Sequence, residues 1–222
     1  MEWLGHSQVT YHASPNPISL TRKATKSQIS LPDLCKSITP PCILNPILWN
    51  GHLQTIWTAF STDNIPIVNY KRKVFEADEK HFVGSFSVDF VVKEEGQTDS
   101  ILPPRISFFG EEEDIASTDR NPMLIVLHGM SGGSAEAYVR DVLVSLTRNG
   151  DWAACVLLSR GCARSKITSH LLYNGRSTWD LRQLVKWLRL QFPNRPLFAM
   201  GFSLGANILT NVCTQSPLQS IH

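Results

Sequence analysis

Several features that would mark other protein classes are missing from this 222-residue sequence. The longest apolar runs, "MLIVL" and "WAACVLL", are strand-length, far short of a membrane span, so any membrane contact is expected to be peripheral. A formal charge of +2 with no dense Lys/Arg cluster and no interleaved aromatic–basic stripe argues against a nucleic-acid partner. The cysteines Cys35, Cys42, Cys155, Cys162 and Cys213 form no CxxC pair, and the histidines are scattered without an HExxH motif. No metal or other cofactor is therefore expected, and this odd, sparse cysteine set fits a reducing compartment. The opening "MEWLGHSQVTYHASPNP" has neither a basic nor an apolar leader region, which argues against a secretory signal.

What is present suffices for one α/β domain with an extended arm, since 42% of the residues are hydrophobic. Residues 1–45 are rich in Ser, Thr and Pro without periodicity and read as a flexible arm; Arg22, Lys23 and Lys26 give it a mildly basic face. Residues 46–215 read as the domain and 216–222 as a tail. The segment "NPILWNGHLQTIWTAF", 45–60, is expected to pack into a core, with His52 a structural residue. "FSVDFVV", 86–92, alternates as a half-buried strand, with "RISFF" its expected partner. Glu111, Glu112, Glu113 and Asp114 are expected to form a solvated turn rather than a cation site.

Beyond Pro122 apolar runs alternate with helical patterns, the order of a parallel sheet. "MLIVLHG", "AACVLLS" and "PLFAMGFS" are the strands. Helices are expected from Tyr138 to a stop at Asn149–Gly150, from Ser177 to Pro193 with Ser177 and Asp180 as a capping pair, and from Leu204 onward.

The G-x-S-x-G at 201–205 would arise by chance in roughly one chain in ten of this length, so its setting must carry the argument. An apolar strand runs directly into Gly201 and an apolar-striped helix leaves from Leu204, the strand–turn–helix of a nucleophile elbow. Ser203 is the expected nucleophile. The Leu204 N–H, at a helix start, and the Met130 N–H, in "LHGMSGGS" after an earlier strand, are the expected oxyanion donors. His128 reads as a structural residue of that loop. The loop matches neither G-x-G-x-x-G nor a P-loop, so phosphate binding is disfavoured.

Taken in order, "NPILWNGHLQTIW", "HGMSGGS", "SRGCARSKIT", "YNGRSTWDLRQLVKWL" and "GFSLGANIL" resemble the α/β-hydrolase-4 family, especially its fungal medium-chain fatty acid ethyl ester synthase/esterase and monoacylglycerol lipase type. The resemblance implies an α/β-hydrolase fold and an acyl-enzyme on Ser203, formed from a fatty acyl ester or acyl-CoA and passed to water or to a small alcohol such as ethanol. It also implies an intracellular, cytoplasmic setting at a lipid-droplet or mitochondrial outer surface. Arg160 to Cys162 and Asp180 are framework in that comparison.

The pattern departs at the end. In this fold the triad follows the order serine, acid, histidine. After Ser203 there is no Asp or Glu, and the only histidine is His222. Neither Asp141 nor Asp180 fits the family order. Triad acid and histidine are therefore assigned to no residue; the chain alone is expected to be nearly inert, with the strand before Ser203 left as an open, association-prone edge. A non-catalytic short product that binds acyl groups or partners is the alternative.

Overall fold

The structure, a computed structural model, describes residues 6–7, 9–40, 42–43, 46–60, 66–78, 81–93, 100–110 and 113–215. The chain divides into two compact units, Met1–Asp63 and Asn64–His222.

The first unit contains β1 (His6–Ser7), β2 (Ser19–Thr21), β3 (Gln28–Ser30), α1 (Leu31–Ile38), β4 (Cys42–Ile43) and α2 (Gly51–Phe60). Strands β1 and β4 pair antiparallel, as do β2 and β3. Helix α1 starts at Ser30, whose hydroxyl accepts the Asp33 N–H at 3.2 Å. Part of the stretch read as an arm thus carries local structure. Core packing is not what the described side chains of 46–57 show: Trp49 and Trp57 are 72% and 61% exposed, and His52 is exposed as well. Among the described side chains of α2, Leu53, Ile56 and Trp57 are exposed.

The second unit holds β5 (Asn69–Glu76), β6 (Ser85–Val92), β7 (Ile106–Phe108), β8 (Met123–Leu127), α3 (Ala137–Thr147), β9 (Ala153–Leu158), α4 (Trp179–Gln191), β10 (Leu197–Gly201) and α5 (Leu204–Gln215). Six strands form one sheet in the order β10-β8-β9-β6-β5-β7. Strands β10, β8 and β9 run parallel, while β6 is antiparallel to both β9 and β5. Met123, Ile125 and Leu127 face one layer with Leu181, Leu184 and Leu188 of α4 and Ile208 of α5. Leu124 and Val126 face the other, with Val139 and Leu143 of α3. Burial on both faces is why β8 is a continuous apolar run rather than an alternating one.

Three local expectations are corrected. Strand β6 is not half-buried, because Ser87 and Asp89 on its polar face are buried too. "RISFF" supplies β7, which pairs in parallel with β5 and not with β6. Helix α4 begins at Trp179 after Thr178, which makes no side-chain cap bond. The Ser177 hydroxyl instead accepts the Asn174 N–H at 2.7 Å, and Asp180 is drawn to Arg160.

Strand β10 is the sheet's outermost described strand on its side, bonded only to β8. Its side chains Phe198 and Met200 are 50% and 38% exposed. No helix among the described residues is long and apolar enough to cross a membrane.

Candidate active site

The loops after the parallel strands β8, β9 and β10 gather at one end of the sheet, the carboxyl ends where open α/β sheets carry their sites. Ser203 sits at the turn from β10 into α5 with φ of 49°, in the left-handed region. A non-glycine residue there costs about 1–2 kcal/mol, so the surrounding backbone has to hold it. Phe202 N–H donates to the Leu127 carbonyl at 2.9 Å, Gly205 N–H to the Phe202 carbonyl at 2.8 Å, and Asn207 N–H to the Ser203 carbonyl at 3.1 Å.

The two flanking glycines make this turn sterically possible. A Cβ on Gly201 would lie 2.5 Å from Ala206 N, and one on Gly205 would run into the Leu127 and His128 carbonyl oxygens. The result is an exposed serine at the apex of a tight strand–helix turn. Leu204 is the first residue of α5, so its N–H is one of the helix-start donors without an intrahelical acceptor, at the positive end of the helix dipole.

The loop 128–134 lies against this turn: a Cβ built on Gly129 would be 3.7 Å from the Ser203 Cβ. His128 is buried, and its Nε2 accepts the Ser159 N–H at 3.1 Å, which leaves the proton on Nδ1 to be donated to the Gly129 carbonyl at 2.6 Å. Gly132 N–H donates to the same carbonyl at 3.2 Å. In a trans peptide the carbonyl and the following N–H point in opposite directions. Drawing the Gly129 carbonyl inward therefore turns the Met130 N–H away from the His128 ring. The Met130 side chain is 74% exposed. Burial holds the His128 imidazole below its ordinary pKa, in keeping with the neutral tautomer this network needs.

Other side chains stabilise the pair of turns. The Tyr138 hydroxyl accepts the Gly129 N–H at 3.0 Å, and its ring packs on Phe202 at 4.7 Å. The Tyr173 hydroxyl accepts the Ser131 N–H at 3.2 Å. Asn211 donates to the Gly175 carbonyl at 2.6 Å, tying α5 to the "YNGRS" segment. The sequence pattern marked Tyr138 only as one residue of a helical stripe and did not single out Tyr173. An aromatic hydroxyl five to nine residues after the glycines of a Gly-rich turn is the signal available for Tyr138.

Asp180 binds Arg160 through both carboxylate oxygens, at 2.9 and 2.7 Å, and Arg160 also holds the Val83 and Phe82 carbonyls. Burial pushes the Asp180 carboxyl up, with Arg160 opposing the shift. Both its oxygens are thus committed to framework. Asp141 is exposed on α3. His222, Glu111 and Glu112 lie outside the described residues, while Glu113 pairs with Lys71 at 2.5 Å. Among the described residues no group of His, Cys, Asp and Glu could hold a metal ion.

A cavity of about 20 Å³ beneath the elbow, between His128, Ser159, Asp180 and Gly205, has room for about one water molecule. A groove of about 620 Å³ lined by Val68, Val91, Trp152 and Ala153 lies at the amino end of β9, opposite Ser203.

Residues 122–220 match the family described as the α/β-hydrolase fold. A Saccharomyces cerevisiae monoacylglycerol lipase is 39% identical across 86% of this chain and 47% of its own length. A medium-chain fatty acid ethyl ester synthase/esterase from the same yeast is 29% identical across 87% of this chain and 50% of its own length. The chain thus spans about half the length of these curated relatives. Among solved structures, a Pyrococcus furiosus esterase aligns at a TM-score of 0.45 and 19% identity, over 69% of this chain and 49% of that one.

Proposed function

With residues 122–220 belonging to the α/β-hydrolase fold family, we propose that the chain carries the acyl-accepting half of a serine esterase acting on medium-chain fatty acyl esters, acylglycerols included. The observation that carries this reading is Ser203 held in a left-handed conformation at the strand–helix turn, beside a loop whose peptides are pinned from behind. Its Oγ attacks the ester carbonyl, the bond to the leaving alcohol breaks, and the Met130 and Leu204 N–H groups receive the charge that develops on the carbonyl oxygen. Water, or an alcohol such as ethanol, then takes the acyl group by the reverse steps. Acyl-CoA would serve as donor by the same attack at a thioester, releasing the thiol. The setting is intracellular, at the surface of lipid droplets or the mitochondrial outer membrane; the unpaired cysteines Cys155 and Cys162 and the lipid-ester chemistry of the relatives support this.

The serine proton needs a base, and this sequence has no Asp or Glu after Ser203 and no histidine there except His222. The acid and histidine come, in this reading, from residues that the sequence does not contain, and the 222-residue chain by itself is nearly inert. That same absence favours the second reading, a short non-catalytic product that binds acyl groups or partners. Intact mass of the native protein separates the two. A mass well above 24.9 kDa, with Ser203-dependent hydrolysis of medium-chain monoacylglycerols and ethyl esters, is the expected result. A native product ending at His222 and lacking turnover would establish the second reading.

A further inference from the structure

Arg72 and Asp89 face each other across the β5–β6 ladder and are 2% and 0% exposed. Arg72 donates to Asp89 twice, Nε at 2.6 Å and Nη2 at 2.9 Å. Burying such a pair gains little for stability, because desolvation offsets the attraction, and apolar residues of similar size often serve the fold as well. What apolar residues could not supply are two further bonds that leave the pair in different directions. Asp89 Oδ2 accepts the Ser134 hydroxyl at 2.5 Å, and Arg72 Nη1 donates to the Ala163 carbonyl at 2.9 Å.

Those bonds end on two different loops of the site. Ser134 closes the loop that begins at His128, and its carbonyl also accepts the Tyr70 hydroxyl at 2.8 Å. Ala163 belongs to the "SRGCARS" turn after β9. The two loops touch directly: a Cβ on Gly133 would lie 2.7 Å from the Ala163 Cβ. We infer that Arg72–Asp89 is a positioning clip for the oxyanion loop: it fixes Ser134 against the Ala163 turn and thereby sets where the Met130 N–H stands relative to Ser203. The bonds that leave the clip end on Ala163 and Ser134 and not on Ser203, so its role is positioning. This inference rests on the reading of Met130 as an oxyanion donor, and one arm of its test is independent of turnover.

The test uses Ser134→Ala, which removes the hydroxyl without adding volume, and the paired replacement Arg72→Met with Asp89→Leu. Amide exchange of the 222-residue chain is the first measurement. Both variants are expected to speed exchange at Ser131 and Gly132 at least tenfold while the β8 and β9 amides keep their protection, and the paired variant is expected to unfold within a few degrees of the parent. Unchanged loop exchange overturns the clip; so does loss of protection throughout the sheet in Ser134→Ala. The second measurement is ester turnover by the native protein, with Ser203→Ala as comparator. Ser134→Ala should lower kcat by about ten- to a hundredfold with KM within twofold, and should slow inactivation by a phosphonate that mimics the tetrahedral intermediate by the same factor. If Ser203→Ala abolishes turnover but Ser134→Ala leaves kcat unchanged, the positioning role fails while the function stands. If Ser203→Ala leaves turnover intact, the proposed function fails, and the exchange result alone decides whether the clip anchors the loop.

Discussion

Val126 in β8 and Met200 in β10 are cross-strand neighbours in one parallel ladder, yet Val126 is fully buried and Met200 is 38% exposed. Strand β8 has β9 and β10 on its two sides and helices on both faces, whereas β10 has one strand neighbour among the described residues. The elbow nonetheless hangs from the less supported strand. Its shape comes from short-range rules at Gly201, Ser203 and Gly205, and from contacts with the end of β8, so it needs no strand beyond β10. The geometry of the Ser203 turn is thus a local property of these residues, whereas in the function proposed above the acid and the histidine would have to be supplied separately.

Substitutions on the two strands separate core from edge. The largest effect is expected from Val126→Lys, which buries an unpaired charge and should cost more than about 4 kcal/mol in denaturant unfolding. The same change at its neighbour, Met200→Lys, should stay within about 0.5 kcal/mol and reduce self-association in sedimentation, because a lysine on an open edge discourages strand pairing. Equal losses at both positions would remove the distinction between core strand and edge. Gly205→Ala, whose Cβ has no space beneath the Leu127 carbonyl, should destabilise by about 3 kcal/mol. Ser203→Gly should do the opposite, stabilising by about 1 kcal/mol as left-handed strain is relieved, while ending any covalent chemistry at this position.

The smallest effect concerns pH. His128 is held below its ordinary pKa of 6.5 in the fold, so the unfolded chain binds its proton more readily. Stability from the neutral ring is complete above about pH 6.5 and declines as pH falls below it, since a proton on Nε2 would face the Ser159 N–H. A melting series from pH 8 to pH 5 should show this decline in the parent and a flatter profile in His128→Asn. Parallel profiles would remove His128 as the source.

Much of this was legible in the sequence because it followed from apolar period and turn chemistry. The runs at 123–127, 153–158 and 197–201 and the stripes of α3, α4 and α5 lie where their spacing predicts. Strand β5 was not legible, since "NYKRKVFE" places Arg72 where an apolar inward residue would announce a strand; its cross-strand partner Asp89 and the Ala163 carbonyl satisfy that arginine in the interior. Asp89 is the one acid in "FSVDFVV", and its partners are 17 and 45 residues away in the chain, so no local pattern pairs it. Asp180 misled in the same way: three residues after Ser177 it matches a capping box, and the tertiary pull of Arg160 outweighed that local preference. Pairings set by distant partners are what one-dimensional pattern leaves out.

Covalent labelling with a fluorophosphonate reports on Ser203 as a nucleophile and on the presence of its base in one measurement. Slow, weak labelling of the 222-residue chain is expected, with fast labelling of a native protein that also supplies the acid and the histidine, the latter abolished by Ser203→Ala. Strong Ser203-dependent labelling of the 222-residue chain would show that the base lies within these residues, and labelling of the native protein that survives Ser203→Ala would remove Ser203 as the nucleophile.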